Sequence, residues 1–169
     1  MNTDQIRLKE IHRKAVEGYQ NGCRDAGGLV PRQDVEFLSS IGISPQVLLD
    51  YAEDFARYGE PECAIFVRLA EIRRDYYRVV QKGLAAVRIV EERELPRKTD
   101  ECDGIAWLPR ITQKARCFLE GSLCEELMYG CSGDRAFLRK FLLTLPGFLE
   151  KVSESGAEPA KLLDYVRGG

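Results

Sequence analysis

The feature that most constrains the fold of this chain is an echo of its own apolar spacing one hundred residues further on. Leu8, Ile11, Lys14 and Ala15 return as Leu108, Ile111, Lys114 and Ala115. Asp34, Phe37 and Leu38 return as Asp134, Phe137 and Leu138, and Leu49 returns as Leu149. Self-similarity at a fixed period describes an architecture before any single element is assigned. A Gly-Cys pair follows the first block in both halves, Gly22-Cys23 and Gly130-Cys131, but off the constant spacing. Two compensating length changes restore the offset, so coincidence of the Gly-Cys pairs stands as the alternative. The expectation is an all-α fold of two related small helical units, duplicated at an offset of 100 and packed as one compact body. A seam between them is where a ligand would sit.

Helical periodicity runs through most of the sequence. Thr3 is positioned to cap a first helix with the stripe Ile6, Leu8, Ile11, Ala15, Val16 and Tyr19, ending by Gly22. A short helix follows with Val35, Leu38 and Ile41, stopped at Gly42. Ser44-Pro45 is a start signal, because the hydroxyl caps and proline loses nothing at the first helical position. That helix buries Val47, Leu48, Tyr51, Ala52 and Phe55, and ends at Gly59. The longest helix is expected over 61–82, with its apolar seam on Ile65, Leu69, Ile72, Tyr76 and Val79. Within it, Arg73 and Arg74 diverge by about 100°, and one of them is expected to pair across the seam between the copies.

Residues 83–100 change character and read as an extended connector, with a short strand near 86–90. The organisation expected is therefore a unit over 1–90, a connector over 91–102 and a second unit over 103–169. The second unit opens near Asp103 with a helix bearing Leu108, Ile111, Ala115, Phe118 and Leu119. Ser122 and Glu125 have the spacing of a capping box for further turns over 123–129. Later helices carry Phe137, Leu138, Phe141 and Leu142, then Phe148, Leu149 and Val152, and finally Leu162, Leu163 and Val166. Trp107, the single tryptophan, is expected in the core.

Charge narrows the class of partner. Residues 1–90 hold 13 basic and 13 acidic side chains, and 91–169 hold 12 and 14, so neither half has the basic excess that a phosphate backbone demands. Nucleic acid is disfavoured. No apolar run approaches the roughly 18 residues that cross a bilayer, and the N-terminus does not read as a secretory signal. A cytoplasmic, soluble protein is the expectation. Its six cysteines include no CxxC pair, so neither a disulfide framework nor a zinc site is expected, and no metal or cofactor is called for. Most of the six read as small buried hydrophobes. His12 is the only histidine, and catalysis through it is disfavoured.

Asp103-Gly104-Ile105-Ala106-Trp107-Leu108-Pro109-Arg110, Lys114-Ala115-Arg116, Tyr129-Gly130-Cys131 and Asp134-Arg135-Ala136-Phe137-Leu138 together resemble the domain-of-unknown-function 5069 family. Phe37-Leu38, Ser40-Ile41-Gly42, Asp50-Tyr51, Gly59-Glu60-Pro61 and Arg73-Arg74-Asp75-Tyr76 are similar to the first half of its longer members. The resemblance implies a small helical protein and transfers no activity. Ser132-Gly133 departs from the bulkier residue common there, which is expected to loosen the turn.

Tyr129, Cys131, Asp134 and Arg135 form the densest polar cluster in an otherwise apolar setting. One reading is structural: Gly130 permits positive φ, and Ser132 or Asp134 caps the next helix. A second reading adds Arg110 and Lys114, four apart on one helical face, and has the free N–H groups of the helix start receive a small anionic ligand. The third makes Cys131 a reactive thiol. The leading functional expectation is a binding or protein-interaction module, not an enzyme, with Arg110, Lys114, Tyr129, Cys131, Asp134 and Arg135 as the ligand site. A thiol-dependent enzyme or redox-responsive protein using Cys131 is the alternative.

Overall fold

Residues 2–168 are described by a computed structural model, and the fold is all-α with one two-residue hairpin. The first four helices are α1 (Thr3–Gln20), α2 (Arg32–Ser40), α3 (Pro45–Tyr58) and α4 (Cys63–Val79). The hairpin strands β1 (Glu101–Cys102) and β2 (Ile105–Ala106) come next. They are followed by α5 (Leu108–Glu120), α6 (Ser132–Lys140), α7 (Leu145–Ser155) and the short α8 (Leu163–Arg167). The chain divides into two compact units, Met1–Gly83 and Leu84–Gly169, so residues 91–102 belong to the second unit.

Each unit encloses its own core. In the first, Leu8, Ile11 and Ala15 of α1 lie against Leu48, Tyr51 and Ala52 of α3 and Phe66, Leu69 and Ala70 of α4, all nearly inaccessible. In the second, Leu108, Ile111 and Ala115 of α5 lie against Phe148, Leu149 and Val152 of α7, closed off by Leu162 and Val166. The echoing positions Leu8, Ile11, Ala15, Leu38 and Leu49 and their counterparts Leu108, Ile111, Ala115, Leu138 and Leu149 are thus core positions in both units, whereas Lys14 and Phe37 are only half-buried.

Local geometry repeats at the same offset. Helices α2 and α6 both span nine residues and end in the same back-bonded turn: Ile43 N–H donates to Leu38 O and Leu143 N–H to Leu138 O, each at 2.9 Å. That motif needs a left-handed residue one place earlier. Gly42 supplies it at φ 78°, and Leu142 adopts it at φ 56° with its side chain almost wholly in solvent. At position 42 glycine is also required by space, because a Cβ would stand 2.9 Å from both Arg73 Cζ and Tyr77 Cγ. The following helices are capped alike: Ser44 Oγ accepts from Val47 N–H, and Thr144 Oγ1 from Gly147 N–H.

Several expectations are corrected. Asn2, not Thr3, caps α1, its side chain and that of Gln5 exchanging bonds with each other's backbone N–H. Ile6 is 57% exposed and lies outside the core. The buried face of α4 carries Phe66, Val67, Leu69, Ala70 and Ile72, with the charged Glu71 and Arg73 also buried, whereas Val79 is exposed. An apolar residue occurs on nearly every face of this helix, so spacing alone left its rotation open by one position. Arg74 bonds Asp4 and Asp75, and Arg73 bonds Gln81, so both find partners inside the first unit.

In the second unit no helix starts at Asp103. Asp103 and Gly104, at φ 51° and 76°, form the two-residue turn of the hairpin, a geometry that favours Asp-Gly. The stretch 123–129 is not helical either. Ser122 donates both its N–H and its hydroxyl back to Cys117 O, so its side chain is turned to the end of α5. Leu123 instead pairs with Val90 in an isolated parallel bridge, all that forms of the strand expected over 86–90. The six cysteines are unpaired, and only Cys117 is fully buried.

Candidate functional site

The polar cluster is assembled by three segments of the second unit. Lys114 sits mid-way along α5, Cys131 occupies the N-cap of α6, and Asp134 lies in the first turn of α6. Trp107 immediately precedes α5 in a left-handed conformation at φ 72°. For a residue with a Cβ this conformation costs roughly 1–2 kcal/mol, so its neighbours must hold it there.

Asp134 is the centre. Its carboxylate is wholly buried and accepts three donors: Lys114 Nζ at 2.5 Å and Gly130 N–H at 2.9 Å on Oδ2, and Trp107 Nε1–H at 2.9 Å on Oδ1. Three donors of this kind are what a buried carboxylate needs. Lys114 is 2% exposed and gives a further bond to Cys131 Sγ at 3.2 Å. Arg135 Nη1 donates to Gly130 O at 2.7 Å, fixing the turn from its other side. Gly133 lies flat beneath Trp107, where a Cβ would come within 2.5 Å of the indole ring. The glycine expected to loosen the turn is instead the position that lets the tryptophan reach Asp134.

Of the six expected site residues, the structure brings together Lys114, Cys131 and Asp134, with Arg135 attached through Gly130. Arg110 goes elsewhere, bonding Glu92 at 2.9 Å and Pro96 O at 3.0 Å. Tyr129 turns its hydroxyl inward to Leu145 O at 2.8 Å. Arg110 and Lys114 are four apart on α5, yet the first bonds the 92–96 segment and the second bonds α6. The anion that Lys114 and the turn receive is the chain's own carboxylate. Trp107, Gly130 and Gly133 were missing from the expected set. An indole three residues before Arg110 and seven before Lys114 gives no sequence signal of its own.

The first unit has a looser counterpart. Lys14 Nζ bonds Asp34 Oδ2 at 3.0 Å, and Arg7 approaches the same carboxylate at 3.4 Å. Lys14 keeps 32% of its side chain in water against 3% for Lys114. His12 is buried between the rings of Phe55 and Phe66, and its Nε2 meets no hydrogen-bond partner. Burial holds its pKa down, from 6.5 to about 4, so the ring is neutral at pH 7. A groove of about 350 Å³ between α1 and α4 is lined by Gln5, Lys9, Ala64, Val67, Arg68 and Glu71. Glu71 accepts there from Gln5 Nε2 at 2.9 Å.

Among the described residues, no three His, Cys, Asp or Glu side chains gather closely enough to hold a metal ion, and no helix is long and apolar enough to cross a membrane. Compared with protein families, curated proteins and solved structures, the chain matches none.

Proposed function

We propose that the protein is a protein-interaction module that docks an apolar segment of a partner protein on residues 84–90 of the second unit. The observation that carries this reading is the distribution of exposed apolar side chains. Leu84, Val87 and Ile89 are all more than half exposed, and they account for three of the four large apolar residues that stand out in solvent among the described residues of that unit. Concentrating them in one stretch has the character of a contact surface, whereas single exposed apolar residues do not. From Leu84 to Val90 the one charged residue is Arg88, and Glu94 engages it, so the stretch presents its apolar side chains without a free charge.

A small anion held by Lys114 is the weaker reading, because its ammonium already has a carboxylate at 2.5 Å. The matching local geometry at an offset of 100 supports treating the two units as copies. A cytoplasmic setting belongs to the same proposal, since six unpaired cysteines suit a reducing compartment. The resemblance to the domain-of-unknown-function 5069 family rests on its motif residues and adds no reaction.

The test is a displayed-peptide selection against the whole chain. Enriched peptides are expected to be rich in Leu or Phe and to lose at least tenfold in affinity against Val87→Asp. No enrichment, or enriched peptides that bind Val87→Asp unchanged, would overturn the reading.

A further inference from the structure

We infer that Lys114 and Cys131 form a peroxide-sensitive covalent switch, in which oxidation joins the lysine nitrogen to the cysteine sulfur. The inference is independent of the docking surface on 84–90. Among the described residues, Cys131 is the one cysteine whose sulfur has a lysine amine at hydrogen-bonding distance, 3.2 Å. Both atoms are held against the start of α6: Lys114 by its 2.5 Å bond to Asp134, and Cys131 by its place at the N-cap. Cys131 is half-buried and so keeps part of its surface open to a small oxidant, while Lys114 is 2% exposed. Reacting groups fixed in contact replace a bimolecular encounter with a unimolecular step.

The chemistry balances with one equivalent of hydrogen peroxide. The Cys131 sulfur attacks a peroxide oxygen, the O–O bond breaks, and the products are a sulfenic acid and one water. Sulfur is oxidised by two electrons and peroxide is reduced by the same two. Lys114 then passes one proton to the Asp134 carboxylate, and its nitrogen lone pair attacks the sulfenic sulfur. The S–O bond breaks, and the departing hydroxide takes a second proton from nitrogen and leaves as water. An S–N bond remains and Asp134 is a neutral acid, still accepting from Gly130 N–H and Trp107 Nε1–H. No buried charge is stranded, because ammonium and carboxylate are lost together. A first thiol attacks the sulfur and releases the amine, leaving a mixed disulfide on Cys131; a second thiol frees the Cys131 thiol as the reductant leaves as its own disulfide, and Asp134 returns its proton to Lys114.

The experiment treats the intact protein with stoichiometric hydrogen peroxide, followed by intact-mass measurement and tryptic mapping. The expected product has lost two hydrogens, resists cleavage after Lys114, yields a peptide linking Lys114 to Cys131, and reverts with dithiothreitol. A disulfide also removes two hydrogens, so the linked peptide decides between them. Cys131→Ser, which keeps a small polar side chain at the N-cap, is expected to lose the product entirely. In Lys114→Arg the sulfenic acid has no amine to trap it and labels with dimedone at least tenfold more than in wild type. The inference is overturned if wild-type Cys131 labels with dimedone or goes on to sulfinic acid while trypsin still cleaves after Lys114. A disulfide as the two-hydrogen product overturns it equally.

Discussion

At the scale of single residues, burial separates two ion pairs that look equivalent in the sequence. Lys14–Asp34 and Lys114–Asp134 have the same spacing, but the second is enclosed. Removing one member of an enclosed pair strands the other charge and costs about 3–5 kcal/mol, whereas a pair in contact with water is worth about 0–1 kcal/mol. Lys114→Ala is therefore expected to lower the urea midpoint severely. Lys14→Ala, which leaves the buried Asp34 carboxylate with Arg7 at 3.4 Å, is expected to shift it less. Equal shifts in the two variants would contradict this account.

His12 makes a prediction of the opposite kind, through pH. Its folded pKa of about 4 lies below the ordinary 6.5, so between those values the unfolded chain takes up a proton that the folded chain refuses. The stability it confers is complete above pH 6.5 and is lost as pH falls towards 4, by an amount on the order of 3 kcal/mol. Carboxylates titrate in part of the same range. The informative quantity is thus the stability of wild type minus that of His12→Leu, which is expected to fall steadily from pH 7 to pH 4 in urea titrations.

At the scale of elements, the turn into α6 depends on a glycine whose reason is a neighbour and not a backbone angle. Gly133→Ala would drive a methyl group into the Trp107 ring. The expected cost is about 1–3 kcal/mol, the range for overpacking, with the indole N–H pushed off Asp134. Because Trp107 is the only tryptophan, its fluorescence reports the change directly, and an emission maximum shifted to the red is expected. An unchanged spectrum and midpoint would mean that the ring has room to move.

Helix identity and order were legible from periodicity and caps, as Ser44-Pro45 and Thr144 ahead of Pro146 illustrate. Rotation was less so, since α4 offers apolar residues on more than one face. The Asp103-Gly104 hairpin was missed because its strands are two residues long, too short for alternation to register. The cluster was legible as Lys114, Cys131 and Asp134 through local spacing. Arg110 was misplaced because its partners, Glu92 and Pro96, come from a segment read as a connector.

At the scale of the whole molecule, the chain carries two cores whose residues do not overlap. One is built on Leu8, Ile11, Tyr51 and Phe66, the other on Leu108, Ile111, Tyr129 and Phe148. The ion pairs and caps described above each close within one unit. Fragments 1–83 and 84–169, cut at the division between the units, are therefore expected to fold separately. Each is of a size at which independent domains are found. Circular dichroism should give a helical spectrum and a cooperative melt for each fragment. A fragment without a melting transition would show that its core needs the other half of the chain.

The back-bonded turn after α6 has a practical consequence. Leu142 already bears a side chain in a conformation usually left to glycine, and it projects that side chain 93% into solvent. The corner is thus a ready anchoring point: a dye, spin label or surface tether attached at position 142 would ride on the end of α6 without touching either core. Motion of that helix, including any that follows joining Lys114 to Cys131, would then be measurable in real time.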